Sequence, residues 1–270
     1  TVVLTGDGGD EVFGGYNRYV IGPKLLSKMQ RVPPGLRRSA GRLVSACSPA
    51  ITAENGWPRR FTSRMRFPVT ALDKVAKLAP HLSEINDLPA LYQHFTKVTH
   101  NPDCLFREAK GVSHPVQSFF VEGAEWMMAM DSTTYLPGDI LVKVDRAAMA
   151  ASLETRAPFL DGRVVAAAWG LPLEMKIAEG KGKQVLRSLL DRHIPRDLIE
   201  RPKQGFAIPL DRWLRGELRS WAEALLSDDE LFDLAGLEPA AVRIRWARHQ
   251  NSSINNGTQL WTILMLLDWL

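Results

Sequence analysis

Val2-Val3-Leu4-Thr5-Gly6-Asp7-Gly8-Gly9-Asp10-Glu11 opens the chain and sets three carboxylates within five residues, directly behind a short apolar run. Val2-Val3-Leu4 is β-branched at two of three positions and is stopped by Gly6, so it reads as a buried strand. Ligands of open α/β sheets bind at the C-terminal ends of strands, and Asp7, Asp10 and Glu11 fall there. Carboxylates repel phosphate directly but hold it through Mg²⁺, a hard cation that bridges to phosphate oxygens. Gly6, Gly8 and Gly9 would let backbone N–H groups approach the remaining oxygens. A ligand-free, Asx-rich turn accounts for the same residues. A calcium-type Gly/Asp repeat does not, because such repeats need several copies. On this loop alone, the metal–phosphate reading and the bare turn both stand.

Working outward, Gly14-Gly15-Tyr16 points to close backbone packing or a sharp turn. Residues 20–130 carry a helical pattern cut by Pro33, Pro34, Pro49, Pro58, Pro68, Pro80, Pro89, Pro102 and Pro115 into short helices. Residues 118–130 (SFFVEGAEWMMAM) place apolar side chains at helical spacing, a Met and aromatic stripe that reads as core. Residues 131–141 (DSTTYLPGDIL) start a helix near Pro137, and 143–153 continue as helix towards Glu154-Thr155-Arg156-Ala157-Pro158-Phe159-Leu160-Asp161. A helix over 162–169 follows, then a Gly/Lys loop at Glu179-Gly180-Lys181-Gly182-Lys183 and a helix over 184–192. Arg201-Pro202-Lys203-Gln204-Gly205-Phe206 is a basic turn before an amphipathic helix over 210–226, and 259–270 is a Leu/Trp/Met helix. The pattern is one strand followed by a mostly helical body.

The 270 residues suffice for a large core. Hydrophobic residues make up 45% and charged residues 24%, as in ordinary globular domains. A net charge of +4 is a mild preference for anions. The densest basic stretch, Arg59-Arg60-Phe61-Thr62-Ser63-Arg64-Met65-Arg66 near Trp57, is too narrow for a nucleic-acid stripe and reads as solvated surface. Cys47 and Cys104 are the two cysteines, with no CxxC spacing and no histidine cluster beside them. That argues against a disulfide framework and a structural zinc site, and fits a reducing cytoplasm. No apolar run approaches the ~18 residues of a membrane span, and no basic-then-apolar signal segment is present. A start in mid-strand without Met points to truncation at the N-terminus. A lone strand should then expose apolar surface unless an upstream segment or partner covers it.

Thr5-Gly6-Asp7-Gly8-Gly9-Asp10-Glu11-Val12-Phe13-Gly14-Gly15-Tyr16 resembles the S-G-x-G-x-D-E-x-F-G-G-Y motif of the synthetase domain of glutamine-dependent asparagine synthetases. Asp145-Arg146 through Glu154-x-Arg156-x-Pro158-Phe159-Leu160-Asp161 resembles a second block of that family, and Gly182-Lys183-x-x-Leu186-Arg187 a third. Arg201-x-Lys203-x-Gly205-Phe206 is similar to a fourth, and the Trp/Leu-rich C-terminal helix also fits. The blocks keep the family's order over nearly the whole chain, and their co-occurrence is specific where any one of them is weak. The resemblance implies an α/β parent fold of the adenine nucleotide alpha hydrolase type with a parallel sheet. Residues 1–270 would be the C-terminal portion of its synthetase domain, mostly helical with a strand remnant.

The resemblance also implies a reaction: ATP adenylates a carboxylate, aspartate in the type enzyme, and ammonia from glutamine attacks the acyl-adenylate to give an amide and AMP. ATP and Mg²⁺ are the implied cofactors. Asp10 matches the Mg²⁺-binding aspartate of the pyrophosphate loop, and Gly6, Gly8 and Gly9 would set backbone against phosphate. Asp7 stands where relatives have Glu or another polar residue near the acyl-adenylate, as base or orienter, and is the shorter acid. Lys183 matches the lysine that neutralises α-phosphate and pyrophosphate, on a flexible loop that closes over them at a helix N-terminus; a solvated surface loop is the bland alternative. Asp139 is the candidate second acid that helps deprotonate the amine, with its register against relatives ambiguous by one residue. Asp145 and Arg146 would be a structural or substrate-facing pair. Glu154 and Arg156 would form a buried ion pair, and Arg201 and Lys203 would reach phosphate or cap a helix.

The family's N-terminal glutaminase and its S-G-G-x-D-S loop do not occur in these residues. The chain alone is therefore expected neither to hydrolyse glutamine nor to adenylate efficiently. The implied partners are small molecules and the missing N-terminal segment, with a homodimer left open and no nucleic acid or membrane. The same adenylation on a polysaccharide or peptide precursor, a β-lactam-forming synthetase, and a non-catalytic helical binding module are the alternatives.

Overall fold

The computed structural model of the chain describes residues 1–52, 81–98, 104–108, 119–199, 208–251 and 255–270. The basic stretch at 59–66 and the Arg201–Phe206 block lie outside them. The fold divides into two compact units: Thr1–Arg31, Asn86–Phe95 and Pro115–Lys203 form the first, and Val32–Ile85, Thr96–His114 and Gln204–Leu270 the second.

In the first unit, β1 (Val2–Leu4) pairs in parallel with β2 (Glu154–Arg156), Val3 opposite Thr155. The second strand is one more than the sequence pattern suggested. β1 departs from the burial read for it and instead exposes apolar surface, as expected of a strand with few neighbours: Val2, Val3 and Leu4 are all exposed, Leu4 by 73%. Glu154 and Arg156 do form an ion pair, but both are exposed rather than buried.

The chain continues through α1 (Gly9–Phe13), α2 (Asn17–Gln30) and, after α3 (Pro34–Thr52) of the second unit, α4 (Leu88–Thr96). α5 (Gly123–Thr133) is the centre of the first unit, with Met127 and Met128 fully enclosed. Trp126, Met127, Met128 and Met130 pack with Tyr19 and Tyr92, so the Met and aromatic stripe is core, as read from its spacing. Its helix begins at Gly123 and not at residue 118. Next come a π turn (Leu136–Ile140), α6 (Leu141–Ala150), α7 (Gly162–Trp169), α8 (Leu173–Lys176), α9 (Gln184–Leu190) and α10 (Arg196–Ile199). A smaller cluster of Val12, Phe13 and Ala168 packs against Phe159, Leu160, Val185 and Leu186 and so joins α1 to α7 and α9. Lys176 is fully enclosed, 3.1 Å from Glu125 Oε1 and 5.0 Å from the centre of the Trp169 ring, so its charge is answered on two sides.

The second unit is built from α11 (Leu210–Arg215), α12 (Arg219–Ser227), α13 (Asp229–Ala235), α14 (Pro239–Gln250) and α15 (Gly257–Trp269). The single amphipathic helix read over 210–226 is two helices. Gly216 ends the first, and its N–H turns back to the Trp213 carbonyl at 3.1 Å. Leu260, Ile263, Leu264 and Leu267 recur at helical spacing on α15 and enter one core with Leu214, Leu226, Phe232 and Val242. At the start of α15, Gly257 leaves room for the Asp211 carboxylate: a Cβ there would fall 1.9 Å from its Oδ1. An anion at a helix N-terminus is favoured by the helix dipole.

His249 is fully enclosed in this unit and neither ring nitrogen has a hydrogen-bond partner among the described residues. Burial, reinforced by the Arg215 charge and opposed by Asp211, holds its pKa below the usual 6.5. A histidine that resists protonation only when folded binds fewer protons than its unfolded counterpart, so stability falls as pH drops through 6.5. We expect the urea midpoint of the chain to decline between pH 7.5 and 5.5, and His249→Phe to flatten that decline; an equally steep profile in the variant would exclude His249 as its source.

Candidate active site

Residues from two distant blocks meet at the end of α1. The Lys183 ammonium lies 3.0 Å from Asp10 Oδ1, with both side chains about one-third exposed. What brings them together is a backbone contact. A Cβ on Gly182 would fall 2.0 Å from the Gly14 carbonyl oxygen, and the Lys183 N–H donates to the Phe13 carbonyl at 3.1 Å. Gly14 closes α1 at φ +71°, where glycine is preferred. Gly15 then leaves the space the ion pair fills, since a Cβ there would lie 1.9 Å from Asp10 Oδ1 and 2.3 Å from Lys183 Cε. The paired glycines thus have a steric reason each.

The Lys183 loop is built around a tight, hydrogen-bonded turn. Ala178 and Lys181 exchange backbone hydrogen bonds at 3.1 and 2.9 Å around Glu179 and Gly180, both left-handed at φ 52° and 76°. Two left-handed central residues are what a two-residue hairpin turn requires. Gln184 Nε2 donates to the Ala178 and Lys181 carbonyls at 3.0 and 3.3 Å, and Arg187 Nε to the Gly182 carbonyl at 3.0 Å. Lys183 itself takes φ 58° as the residue before α9, a strained backbone held by these bonds.

The other predicted residues are placed as follows. Asp7 is half-buried on the turn after β1. Gly6 is exposed, and an added Cβ meets nothing within 4 Å. Gly8 and Gly9 are buried against the second motif block: a Cβ would fall 2.2 Å from Leu160 Cδ2 at Gly8 and 3.1 Å from the Phe159 ring at Gly9. Their small size therefore serves packing on Phe159 and Leu160, whatever else the loop binds. Glu11 turns away from the loop. It is buried, its Oε1 accepts from the Tyr16 hydroxyl at 2.8 Å, and burial raises its pKa against the lowering effect of that bond. Among the described residues no three His, Cys, Asp or Glu side chains gather as a metal cage. Asp145 and Arg146 are both exposed on α6.

Asp139 lies on the π turn, exposed, with Lys143 Nζ 3.1 Å from its Oδ2. The pKa of the nearby Tyr135 is raised by burial first and by the Asp139 charge next.

Sequence reading missed the residues that join these parts. Tyr16 and Tyr135 meet edge to face with centres 5.9 Å apart, and the Arg18 guanidinium lies 4.1 Å over the Tyr16 ring and 5.1 Å from that of Tyr135. Arg18 Nε is 2.7 Å from Asp131 Oδ2, and the fully enclosed Asp131 also accepts from the hydroxyls of Tyr19 at 2.5 Å and Tyr92 at 2.6 Å. The signal available was the bare presence of Asp131 and Arg18 in otherwise apolar or aromatic stretches.

Gly182→Ala should therefore push the two backbones apart and cost about 1–3 kcal/mol of stability by overpacking. Gly6→Ala, with open space around it, should stay within about 0.5 kcal/mol of the parent chain. Urea unfolding of both variants checks the pair of expectations.

With this geometry in place, comparison with known proteins adds its own result. The family model described as asparagine synthase matches residues 1–270. A putative glutamine-hydrolysing asparagine synthetase of Mycobacterium tuberculosis (strain ATCC 25618 / H37Rv) is 34% identical over 275 residues, 99% of this chain and 39% of that protein. The glutamine-hydrolysing asparagine synthetase 1 of Bacillus subtilis (strain 168) is 29% identical over 274 residues, 100% of this chain and 40% of that protein. The chain thus spans about two fifths of the length of the curated relatives it matches. No solved structure matches it. On the family match over its whole length, the chain belongs to the asparagine synthase family.

Proposed function

We propose that the chain is the C-terminal portion of the synthetase domain of an ATP-dependent amide ligase, which adenylates a carboxylate, aspartate or a related one, for attack by ammonia. The observation that carries this reading is the meeting of Lys183 with Asp10 across the Gly14–Gly182 contact, because it unites two motif blocks some 170 residues apart. The parallel pairing of β1 with β2 supports a parent fold with a parallel sheet of the adenine nucleotide alpha hydrolase type.

The residues present fit a nucleotide-bound Mg²⁺. That ion is commonly held by one or two carboxylates, with phosphates and water filling its remaining positions, and Asp10 offers one partly exposed carboxylate. When bound, the metal would neutralise phosphate oxygens and stabilise the leaving pyrophosphate. Lys183 is placed to supply a second, fixed cation to the α-phosphate and pyrophosphate as charge develops there. Its present partner, Asp10, holds the ammonium at the loop. The loop backbone of Gly6, Gly8 and Gly9 lines the same approach, with Asp7 beside it to orient the substrate. Asp139 is the acid proposed to take the proton from the attacking amine. Ammonia would come from glutamine hydrolysed elsewhere in the parent protein, and the chain alone is proposed to be inactive in adenylation.

A second reading keeps the chemistry and changes the carboxylate: a polysaccharide or peptide precursor, as in β-lactam-forming relatives of the fold. Asp7, one methylene shorter than Glu, leaves more room beside the loop and favours that reading. A cytoplasmic location is proposed from the low cysteine count, two residues without CxxC spacing; among the described residues no helix is long and apolar enough to cross a membrane.

ATP–pyrophosphate exchange in the parent protein tests the proposal, run with aspartate and a panel of other carboxylates. Lys183→Ala should lower the exchange rate by about 10²–10³-fold. An undiminished rate would return the chain to a non-catalytic binding module, and robust exchange by residues 1–270 alone would overturn the inactivity of the isolated chain.

A further inference from the structure

We propose that Arg18 is a positioning residue that fixes the spacing between the two halves of the candidate active site: the loop with Asp10 and Glu11, and the π turn with Asp139. The inference rests on the adenylation reading for its catalytic consequence, and on geometry alone for its structural one.

The loop half ends in Tyr16, whose hydroxyl donates to Glu11 at 2.8 Å. Glu11 is the neighbour of Asp10, so the position of Tyr16 is transmitted to the ion pair within one residue. The other half begins with Tyr135, the residue directly before the π turn that carries Asp139. The two rings touch edge to face. Such a contact between half-buried tyrosines is by itself worth only a fraction of what holds a core, and it does not settle their separation. Arg18 does, because its guanidinium lies against both rings, at 4.1 and 5.1 Å from their centres.

The guanidinium is in turn prevented from moving. Nε is clamped by Asp131 at 2.7 Å, and Asp131 is itself pinned by Tyr19 and Tyr92 from α2 and α4. Nη2 is buried and has no hydrogen-bond partner among the described residues, so on that side ring faces are what surround the cation. Arg18 thus joins four features: the end of the loop, α2, the core helix α5 and the start of the π turn. Only a planar cation can stack on a ring while donating in its own plane to a carboxylate. A lysine would satisfy the Asp131 charge and leave the rings unsupported.

That difference gives the test. In residues 1–270, Arg18→Lys should speed amide hydrogen exchange at least about tenfold in peptides covering 8–16 and 135–142, with α15 unchanged and the thermal midpoint within a few degrees of wild type. Unchanged exchange in those two segments, or an even acceleration through α4 and α5 as well, would overturn the proposal. Should Arg18→Lys lose its circular dichroism signal, Tyr135→Leu decides instead. It keeps the Arg18–Asp131 pair and removes one ring face, so faster exchange at 8–16 is expected and normal exchange there overturns the role. In the parent protein, Arg18→Lys should lower kcat for ATP–pyrophosphate exchange about 10²-fold, with KM for ATP within about twofold. A KM rise with kcat preserved would overturn a positioning role. Wild-type parent protein assayed alongside separates the two questions: no exchange there removes the adenylation reading, and the amide exchange data still decide Arg18.

Discussion

A missing side chain at position 182 is the constraint on which the candidate site depends. The Gly14 carbonyl occupies the place where any other residue would carry its Cβ, so the α1 end and the α9 start can touch only through glycine. That contact hands the Lys183 ammonium to Asp10 and lets the Lys183 N–H bond to Phe13. It also explains why Gly15 follows Gly14: the ion pair needs the volume. The tight turn from Ala178 to Lys181 then holds the lysine in a left-handed backbone that an isolated loop would rarely keep. Strain of this kind persists only where the surroundings over-determine it, and here they do.

The first unit answers each of its buried ionisable groups with at least one partner. Asp131 has one guanidinium and two phenols, Lys176 has Glu125 and the Trp169 ring, and Glu11 has the Tyr16 hydroxyl. Charge-assisted bonds of this type are short and directional, and losing one partner of a buried pair commonly costs about 3–5 kcal/mol. They therefore set side-chain positions more strictly than the apolar contacts around them. The second unit does the opposite with His249: neither ring nitrogen has a hydrogen-bond partner among the described residues, and burial lowers its pKa.

Much of this was legible beforehand. The Met and aromatic stripe of α5 gave its core role through spacing, and the order of the motif blocks gave the family. Helix ends were less legible: Gly216 splits an apolar pattern that runs on without a break in period. The strand at Val2–Leu4 was visible, but its partner at Glu154–Arg156 was not. Glu154-Thr155-Arg156 lacks the β-branched apolar run that marks Val2–Leu4, and burial depends on what else covers a sheet.

The sequence by itself determined the family, the loop with Asp10, the lysine at 183 and the core stripe, because local composition and block order report on local chemistry. Only the tertiary structure decided that Glu11 faces inward, that Gly8 and Gly9 pack on Phe159 and Leu160, and that Arg18 lies between Tyr16 and Tyr135 over Asp131. Asp131 is 113 residues from Arg18 and 39 from Tyr92, and no periodicity of 2 or 3.6 reaches that far. Which polar groups share a buried space is set by how helices pack.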